Sequence, residues 1–304
     1  MSPETPHAVL VGATATGKSA LALALARRDP SWELVSVDSM QVYRGMDIGT
    51  AKPTLAEQAE VPHHMIDRLD PWESSSVAWF QREVMAIIAD ITSRGRRALL
   101  VGGTGLYVQA IVDDLDIPGQ FPAARATIEA NPATAALFAQ LQRQDPLGAS
   151  RIDPGNRRRI VRALEVTVGS GRPFSSFGPG MEAHPPAPFT MVGIRRDPEA
   201  LRVRIRERYD EQLAQGFLAE VAGLMAAPRP MSPTARQALG YLELAAFQAG
   251  EMSLSDAVDQ AVARTARFAR RQRAWFGRDP RISWLDAHGE ANLLVDDLAA
   301  HLGC

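Results

Sequence analysis

Short apolar runs alternate with amphipathic segments along the first third of the chain. The apolar runs predict strands at 7–11, 34–37 and 98–101, because they are too short for helices and end at glycine or aspartate. Between them, apolar residues recur at helical spacing over 18–28 and 76–93, which predicts amphipathic helices. Strands that alternate with helices favour a parallel sheet with helices on both faces.

The pattern changes near residue 114. A Pro- and Gly-rich loop at 116–122 is followed by segments typical of helices, at 123–130, 133–145 and 155–168. After a further loop at 169–188, the pattern predicts a strand at 189–194 and helical segments at 198–225, 233–249 and 253–278. We therefore expect an α/β core formed by 1–114 and 189–304, interrupted by an all-helical insertion domain at 115–188.

Composition narrows the class of protein. Of the 304 residues, 46% are hydrophobic and 22% are charged, which is typical of a globular protein and excludes a disordered one. No apolar run reaches the ~18 residues of a membrane span, and residues 1–7 lack the basic start of a secretory signal. The single cysteine, Cys304, excludes a disulfide framework. We expect a cytoplasmic protein with no membrane partner.

The net charge of −2 hides an uneven distribution of arginine. The chain has 33 basic residues, of which only Lys18 and Lys52 are lysines. Six arginines lie within 151–172 and seven within 264–281, with few carboxylates among them. A general preference for arginine accounts for the total, whereas the clustering favours a polyanionic partner over a solvated helix face.

Residues 12–19, GATATGKS, match the phosphate-binding motif G-x-x-x-x-G-K-[ST] between a predicted strand and a predicted helix. In that context backbone N–H groups surround phosphate oxygens, the lysine adds a positive charge and the serine hydroxyl suits Mg²⁺. We predict a P-loop NTPase-like fold in which Ser19 contributes to a magnesium site. The predicted phosphate site consists of Gly12, Ala13, Thr14, Ala15, Thr16, Gly17, Lys18 and Ser19.

The motif leaves open which bond is broken. The strand at 98–101 ends in Gly102-Gly103-Thr104 and lacks the carboxylate that kinases and nucleotide hydrolases use for magnesium. Asp38 follows the strand at 34–37 and is either a turn cap or a functional carboxylate at the carboxyl edge of the sheet. His63 and His64 do not indicate a metal site, because neighbours on a strand point to opposite faces and no third ligand lies at suitable spacing.

The chain resembles the tRNA dimethylallyltransferase family over nearly its whole length. The resemblance rests on residues 12–19, the stretch DSMQVYRGMDIGTAKP at 38–53, VPHH at 61–64, GGTGLY at 102–107, residues 156–166, LGY at 239–241 and RRQRAWF at 270–276. One departure is Ala13, where proline is common in the family.

The resemblance implies transfer of a dimethylallyl group from dimethylallyl diphosphate to N6 of the adenosine 3′-adjacent to the anticodon. It implies that Asp38 is the general base, that Thr104 hydrogen-bonds the leaving oxygen and that Arg125 neutralises the developing charge. The expected partners are the anticodon stem-loop of tRNA and dimethylallyl diphosphate, with Mg²⁺ as cofactor and the protein as a monomer. The implied tRNA-contacting segments are Asp38, Ser39, Met40 and Gln41; Arg158, Arg159, Ile160, Val161 and Arg162; and Gln237, Ala238, Leu239, Gly240 and Tyr241.

Three alternatives have different consequences. An isopentenyltransferase acting on free adenine nucleotides would share the phosphate loop and Asp38 but has no use for a helical insertion and arginine clusters. A small-molecule P-loop kinase would transfer phosphate from ATP and release ADP. A non-enzymatic RNA-binding protein would keep the arginines but would not need Lys18 beside Asp38 and Thr104.

Overall fold

The computed structural model describes residues 7–303 and divides them into two units. The first unit contains the described residues up to Val112 and those from Pro186 onward, and the second is Asp113–Pro185. The sequence pattern predicts a helical insertion domain at 115–188, the region of the second unit. Within the described residues, no helix is both long enough and apolar enough to cross a membrane.

The first unit is built on a parallel sheet. Its strands are β1 (His7–Gly12), β2 (Trp32–Val37), β3 (His63–His64), β4 (Arg97–Gly102), β5 (Phe189–Arg195) and β6 (Ser283–Asp286). Their order is β3-β2-β4-β1-β5-β6, and each neighbouring pair is parallel. The predicted α/β class and parallel sheet are confirmed. The edge strands β3 and β6 were not among the predicted strands, because neither is a continuous apolar run: β3 is a pair of histidines, and β6 starts at a serine and ends at an aspartate.

Thirteen helices are described within residues 7–303. They are α1 (Lys18–Arg28), α2 (Leu55–Glu60), α3 (Val77–Ser93), α4 (Gly105–Val112), α5 (Pro122–Glu129), α6 (Thr134–Gln144), α7 (Pro146–Ser150), α8 (Arg157–Ser170), α9 (Pro198–Ala214), α10 (Phe217–Met225), α11 (Tyr241–Gln248), α12 (Leu254–Phe276) and α13 (Val295–Leu302). Short 3₁₀ helices lie at Phe174–Phe177, Ala235–Gln237 and Ala291–Leu294. Helices α5–α8 belong to the second unit.

Alternate strand residues of the first unit enter two different cores. Val9, Val11 and Val35 pack with apolar residues of α3, α4 and α9–α12. Leu10 and Leu34 point to the other face and pack with α1 and α13. Because successive side chains of a strand point to opposite faces, the continuous apolar runs buried on both sides are those of a central parallel sheet.

The second unit has its own hydrophobic core, formed by apolar residues of α5, α6 and α8. Asp145 is buried in this unit, and both oxygens of its carboxylate accept hydrogen bonds. Its carboxylate accepts hydrogen bonds from the backbone N–H of Gly148 at 2.8 Å and from the backbone N–H and hydroxyl of Ser175 at 2.8 and 2.6 Å. These bonds offset the cost of burying a charge and tie α7 to the segment after α8.

Candidate active site and nucleic-acid interface

The predicted catalytic loops of the first unit leave neighbouring strands at one edge of the sheet. The register pairs Val11 at the end of β1 with Gly102 at the end of β4, and Gly102 in turn with Val37 of β2. The loops that carry the phosphate motif, Thr104 and Asp38 therefore start side by side. This carboxyl edge is where ligands of open parallel sheets bind.

The phosphate loop has the conformation that its glycines permit. Gly12 and Gly17 have φ values of +151° and +97°, and a Cβ on Gly12 would lie 2.7 Å from the carbonyl oxygen of Ile194. Within the loop, the Thr16 hydroxyl and the Lys18 ammonium donate to the carbonyl of Ala13 at 2.9 and 2.7 Å. No side chain caps the N-terminus of α1, so its first N–H groups suit an anion.

The charge of Lys18 responds to its surroundings. Burial lowers the pKa of Lys18 to about 8, and this effect outweighs the attraction of Asp38, which raises it. The nearby Arg208 lowers it further. A bound anion would favour the protonated form, so Lys18 is suited to gain its full charge when phosphate enters.

Arg208 is a site residue that the sequence did not single out. It lies on α9 and donates to the Thr14 hydroxyl at 3.2 Å, and burial lowers its pKa while Tyr209 and Asp38 are among the groups that oppose this. Arginines occur at alternate positions of this helix, 202, 204, 206 and 208, so composition could not show which of them faces the loop. The structure places a second cation beside Lys18.

Asp38 is half-buried directly after β2. Its Oδ1 accepts a hydrogen bond from the backbone N–H of Met40 at 2.8 Å, which closes a turn and orients the carboxylate. Asp38 also contributes to raising the pKa of Tyr107, although burial of that phenol is the larger cause. Asp38 thus interacts electrostatically with Lys18, Arg208 and Tyr107, which lie on three different elements.

The polar residues after Asp38 hold their own segment in place. Gln41 accepts from the Ser36 hydroxyl at 2.7 Å and donates to the carbonyls of Thr50 and Ala51 at 3.2 and 3.1 Å. Lys52, only 3% exposed, donates to the carbonyl of Tyr43 and pairs with Asp67 and Asp47. The amide of Gln41 is therefore used in hydrogen bonds within this segment. Ser39 and Met40 are half-buried and follow Asp38 directly in the chain.

A carboxylate on α10 fastens the same segment from the other side. Glu220 accepts from the backbone N–H groups of Asp47, Ile48 and Gly49 at 2.8, 2.7 and 3.1 Å. It also accepts from the phenol of Tyr241 at 2.7 Å, and burial together with Glu220 raises the pKa of that phenol. Sequence reasoning missed Glu220, because an isolated glutamate on a predicted helix carries no motif.

Thr104 lies between glycines that allow close packing. A Cβ on Gly102 would lie 2.3 Å from the carbonyl oxygen of Val37, and one on Gly105 would lie 2.4 Å from Cδ1 of Trp275. The carbonyl of Thr104 accepts from Tyr107 and Val108 as α4 begins. Phe276 is buried in the core that contains Val9 and Val11, and Trp275 packs against that core.

The predicted residues of the second unit differ in their surroundings. Arg125 pairs with Glu129 at 2.7 Å and, at 3.4 Å, with Glu165, whose side chain is 2% exposed. Arg162 donates to Glu165 and to the carbonyls of Pro118 and Gly119. These two guanidinium groups are part of the internal bonding of their unit.

The rest of the predicted segment on α8 separates into core and surface. Ile160 and Val161 are buried in the core of the second unit. Arg158 and Arg159 are exposed, and within residues 7–303 neither forms an ion pair. These two arginines are available to a polyanion.

The predicted segment at 237–241 lies in the first unit. Gln237 is exposed, Leu239 is half-buried, and Ala238, Gly240 and Tyr241 are buried. Arg264 of α12 donates to the carbonyl of Gln237 at 3.1 Å and pairs with Glu243 at 3.0 Å. The arginines of α12 are thus not equivalent, since Arg264 forms these two bonds. Four others are exposed: Arg267, Arg270, Arg271 and Arg273.

The donor set gives Mg²⁺ few protein ligands. Ser19 is exposed at the start of α1, and residues 7–303 contain no group of three His, Cys, Asp or Glu side chains that could hold a metal. A hydroxyl with phosphate oxygens and water is a donor set that Mg²⁺ accepts. His64 instead hydrogen-bonds Glu33 at 2.7 Å and His63 the carbonyl of Val61 at 2.7 Å.

Comparison with known proteins agrees with this architecture. The IPP transferase family model matches residues 41–279, and the isopentenyl transferase model matches residues 7–68. A tRNA dimethylallyltransferase from Corynebacterium glutamicum is 46% identical over 289 residues, which cover 94% of this chain and 95% of that protein.

Solved structures give the same result. The tRNA isopentenylpyrophosphate transferase from Bacillus halodurans is 35% identical with a TM-score of 0.70, over 98% of this chain and 97% of that one. A eukaryotic dimethylallyltransferase, solved in crystallographic snapshots of its action on tRNA, is 26% identical with a TM-score of 0.79, over 97% of this chain and 77% of that one.

A parallel sheet with a phosphate loop at its carboxyl edge defines the class of phosphate-loop α/β proteins. Within that class the chain belongs to the IPP transferase family, which includes the tRNA dimethylallyltransferases. The family predicted from the sequence is confirmed.

Proposed function

We propose that this chain transfers a dimethylallyl group from dimethylallyl diphosphate to N6 of the adenosine 3′-adjacent to the anticodon of tRNA. The observation that carries the proposal is the meeting of three loops, after β1, β2 and β4, at one edge of the sheet. The anion-binding turn, the Asp38 carboxylate and the Thr104 hydroxyl belong to these three loops, which start at neighbouring strand ends.

In this reaction the phosphate loop binds a leaving group. Lys18 and Arg208 hold the diphosphate by charge, and the N–H groups at the start of α1 donate to its oxygens. The adenine N6 forms a bond to C1 of the dimethylallyl group while the bond from C1 to the diphosphate oxygen breaks. Thr104 donates to that departing oxygen, and the proton leaving N6 passes to Asp38.

Mg²⁺ belongs to this proposal as a cofactor that would neutralise charge on the diphosphate. Ser19 would hold it together with diphosphate oxygens and water. Arg125 stays a predicted contributor to charge neutralisation, and its ion pairs with Glu129 and Glu165 are bonds it would have to share or exchange.

Transfer RNA is the proposed acceptor because of the exposed arginines. Arg158 and Arg159 on α8, and the four exposed arginines of α12, suit a phosphate backbone. A free nucleotide offers too few phosphates to engage either helix face. The target adenine must leave its stack to reach a carboxylate held beside the sheet.

The decisive experiment incubates the purified protein with dimethylallyl diphosphate and bulk tRNA, digests the tRNA and analyses the nucleosides by mass spectrometry. We expect N6-dimethylallyladenosine with the wild type and none with Lys18→Ala. Parallel reactions contain AMP as acceptor, or labelled ATP with no prenyl donor. Product on AMP but not on tRNA, or labelled ADP alone, would contradict the proposal.

A further inference from the structure

A buried amide on α12 joins two of the three loops. Gln272 is 6% exposed, and its Oε1 accepts from the backbone N–H of Thr14 at 2.8 Å while its Nε2 donates to the carbonyl of Gly103 at 2.8 Å. A backbone N–H can only donate and a carbonyl can only accept, so these partners set the orientation of the amide. One side chain thus spans from the phosphate loop to the loop of Thr104.

The surrounding residues are shaped for this contact. A Cβ on Gly103 would lie 2.3 Å from Nε2 of Gln272, so glycine at this position makes room for the amide. One turn later on α12, Trp275 packs on Gly105 in the same way. The helix therefore contacts the loop on both sides of Thr104.

The bridge also affects the phosphate loop. The N–H of Thr14 donates to Gln272, so the orientation of the first peptide groups of the loop is set by α12. Arg208 meets the hydroxyl of the same threonine. Thr14 is thereby held by its backbone and by its side chain, on residues from two helices.

We propose that Gln272 is a positioning residue, which holds the phosphate loop and Thr104 at the separation that the leaving group requires. The inference rests on the proposed prenyl transfer. Gln272 acts through the peptide groups of Thr14 and Gly103 and does not itself contact the substrate.

A loss of this bridge should slow the chemical step more than it weakens binding. Misplacement of a reacting group by about 1 Å can cost about 100-fold in rate, because stabilisation in the transition state depends on close geometry. Binding of the diphosphate depends mainly on the charges of Lys18 and Arg208, and the two hydrogen bonds of Gln272 go to Thr14 and Gly103 rather than to either cation.

The test compares two variants of the same helix. Gln272→Met keeps the length of the side chain and removes both hydrogen bonds. The control, Thr265→Val, removes another buried hydrogen bond of α12, to the phenol of Tyr209 at 2.9 Å, in which neither loop takes part. Gln272→Glu is a further variant that retains an acceptor for Thr14 and loses the donor to Gly103.

For each variant, thermal unfolding, affinity for dimethylallyl diphosphate and single-turnover transfer to tRNA are measured. We expect Gln272→Met to slow transfer about 10- to 100-fold with affinity within a few fold of the wild type. Gln272→Glu puts a carboxylate oxygen against the carbonyl of Gly103 and should slow transfer at least as much as Gln272→Met. Thr265→Val should transfer within about three-fold of the wild type despite a similar loss of thermal stability.

A double-mutant cycle with Thr104→Ala tests the mechanism of this effect. If Gln272 acts by positioning Thr104, the double variant is little slower than Thr104→Ala alone. The inference would be overturned if the rate losses of Gln272→Met and Thr104→Ala multiply in the double variant. An unchanged rate in Gln272→Met, or an equal slowing in Thr265→Val, would also overturn it. A wild type that makes no prenylated tRNA would instead contradict the proposed function.

Discussion

At the scale of single residues, the site depends on how burial and nearby charges act on two groups. Lys18 and Asp38 follow two different strands along the chain and attract each other, yet burial lowers the pKa of Lys18 to about 8. Asp38 is oriented by the N–H of Met40. Each residue leads to a separate prediction.

Asp38→Ala should remove most of the prenyl transfer. A general base contributes about 10²- to 10⁴-fold in rate, and the variant should lose that amount in single-turnover assays. The affinity for tRNA, measured by filter binding, should stay within a few fold of the wild type. The control is Asp210→Ala, an exposed carboxylate on α9, which should leave the rate unchanged. Near-normal turnover by Asp38→Ala would remove this residue from the mechanism.

Because the pKa of Lys18 is lowered to about 8, the affinity for the diphosphate should depend on pH. As the pH rises through about 8 the unliganded protein loses the Lys18 proton, so affinity should fall and binding should take up a proton. Calorimetry in buffers of different ionisation enthalpy measures that uptake. Lys18→Arg keeps its charge throughout and serves as control, because ionisation of diphosphate itself affects both proteins alike. An identical pH profile for the two proteins would refute the assignment.

At the scale of elements, the arginines of a single helix differ in what they contact. On α8, Arg158 and Arg159 are exposed, whereas Arg157 and Arg162 donate to backbone carbonyls of their own unit. The sequence alone grouped them as one basic cluster. Helical spacing gives the direction of each side chain but not the neighbours it meets.

Arg158→Ala with Arg159→Ala should weaken tRNA binding and flatten its salt dependence. Each lost phosphate contact lowers the slope of log affinity against log salt by about 0.7 to 0.9. Affinity for dimethylallyl diphosphate should not change. Arg162→Ala is the matched comparison, and it should lower thermal stability more than it changes the slope. A wild-type slope in the double variant would show that these arginines are an ordinary solvated surface.

At the scale of the whole molecule, three loops and three helices of the first unit depend on one another at the carboxyl edge. Gln272 of α12 joins the loops after β1 and β4, while Arg208 of α9 reaches the first of them. Glu220 of α10 fastens the segment after Asp38. A ligand that binds at this edge should therefore raise the free energy of unfolding of the first unit.

Dimethylallyl diphosphate should raise the thermal midpoint of the protein. At a concentration of 100 times its dissociation constant, a ligand that binds only the folded state adds about 2.7 kcal/mol. Scanning calorimetry measures the shift, which should shrink in Lys18→Ala and persist in the Arg158→Ala, Arg159→Ala double variant. A shift of equal size in Lys18→Ala would show that the ligand binds elsewhere.

The sequence by itself determined the parallel sheet, the phosphate loop and the position of Asp38. These features are local: a run of apolar residues buried on both faces, a glycine-rich turn before a helix, and a carboxylate directly after a strand. Because parallel strands end at a common edge, the sequence placed Asp38, Thr104 and the phosphate loop at that edge. The strand order β2-β4-β1, which makes their loops neighbours, came from the structure.

Tertiary structure alone decided which helical side chains belong to the site. Arg208, Glu220 and Gln272 lie far along the chain from the loops they contact, and each sits in a helix whose local pattern is unremarkable or uniformly basic. Gln272 bonds to two backbone groups, Glu220 to three backbone N–H groups and a phenol, and Arg208 to a threonine hydroxyl, and no local pattern in these helices indicates any of these partners. Such bonds form only when whole helices pack against the loops. Only the folded chain therefore shows which arginine, glutamate or glutamine bonds to the loops of the site.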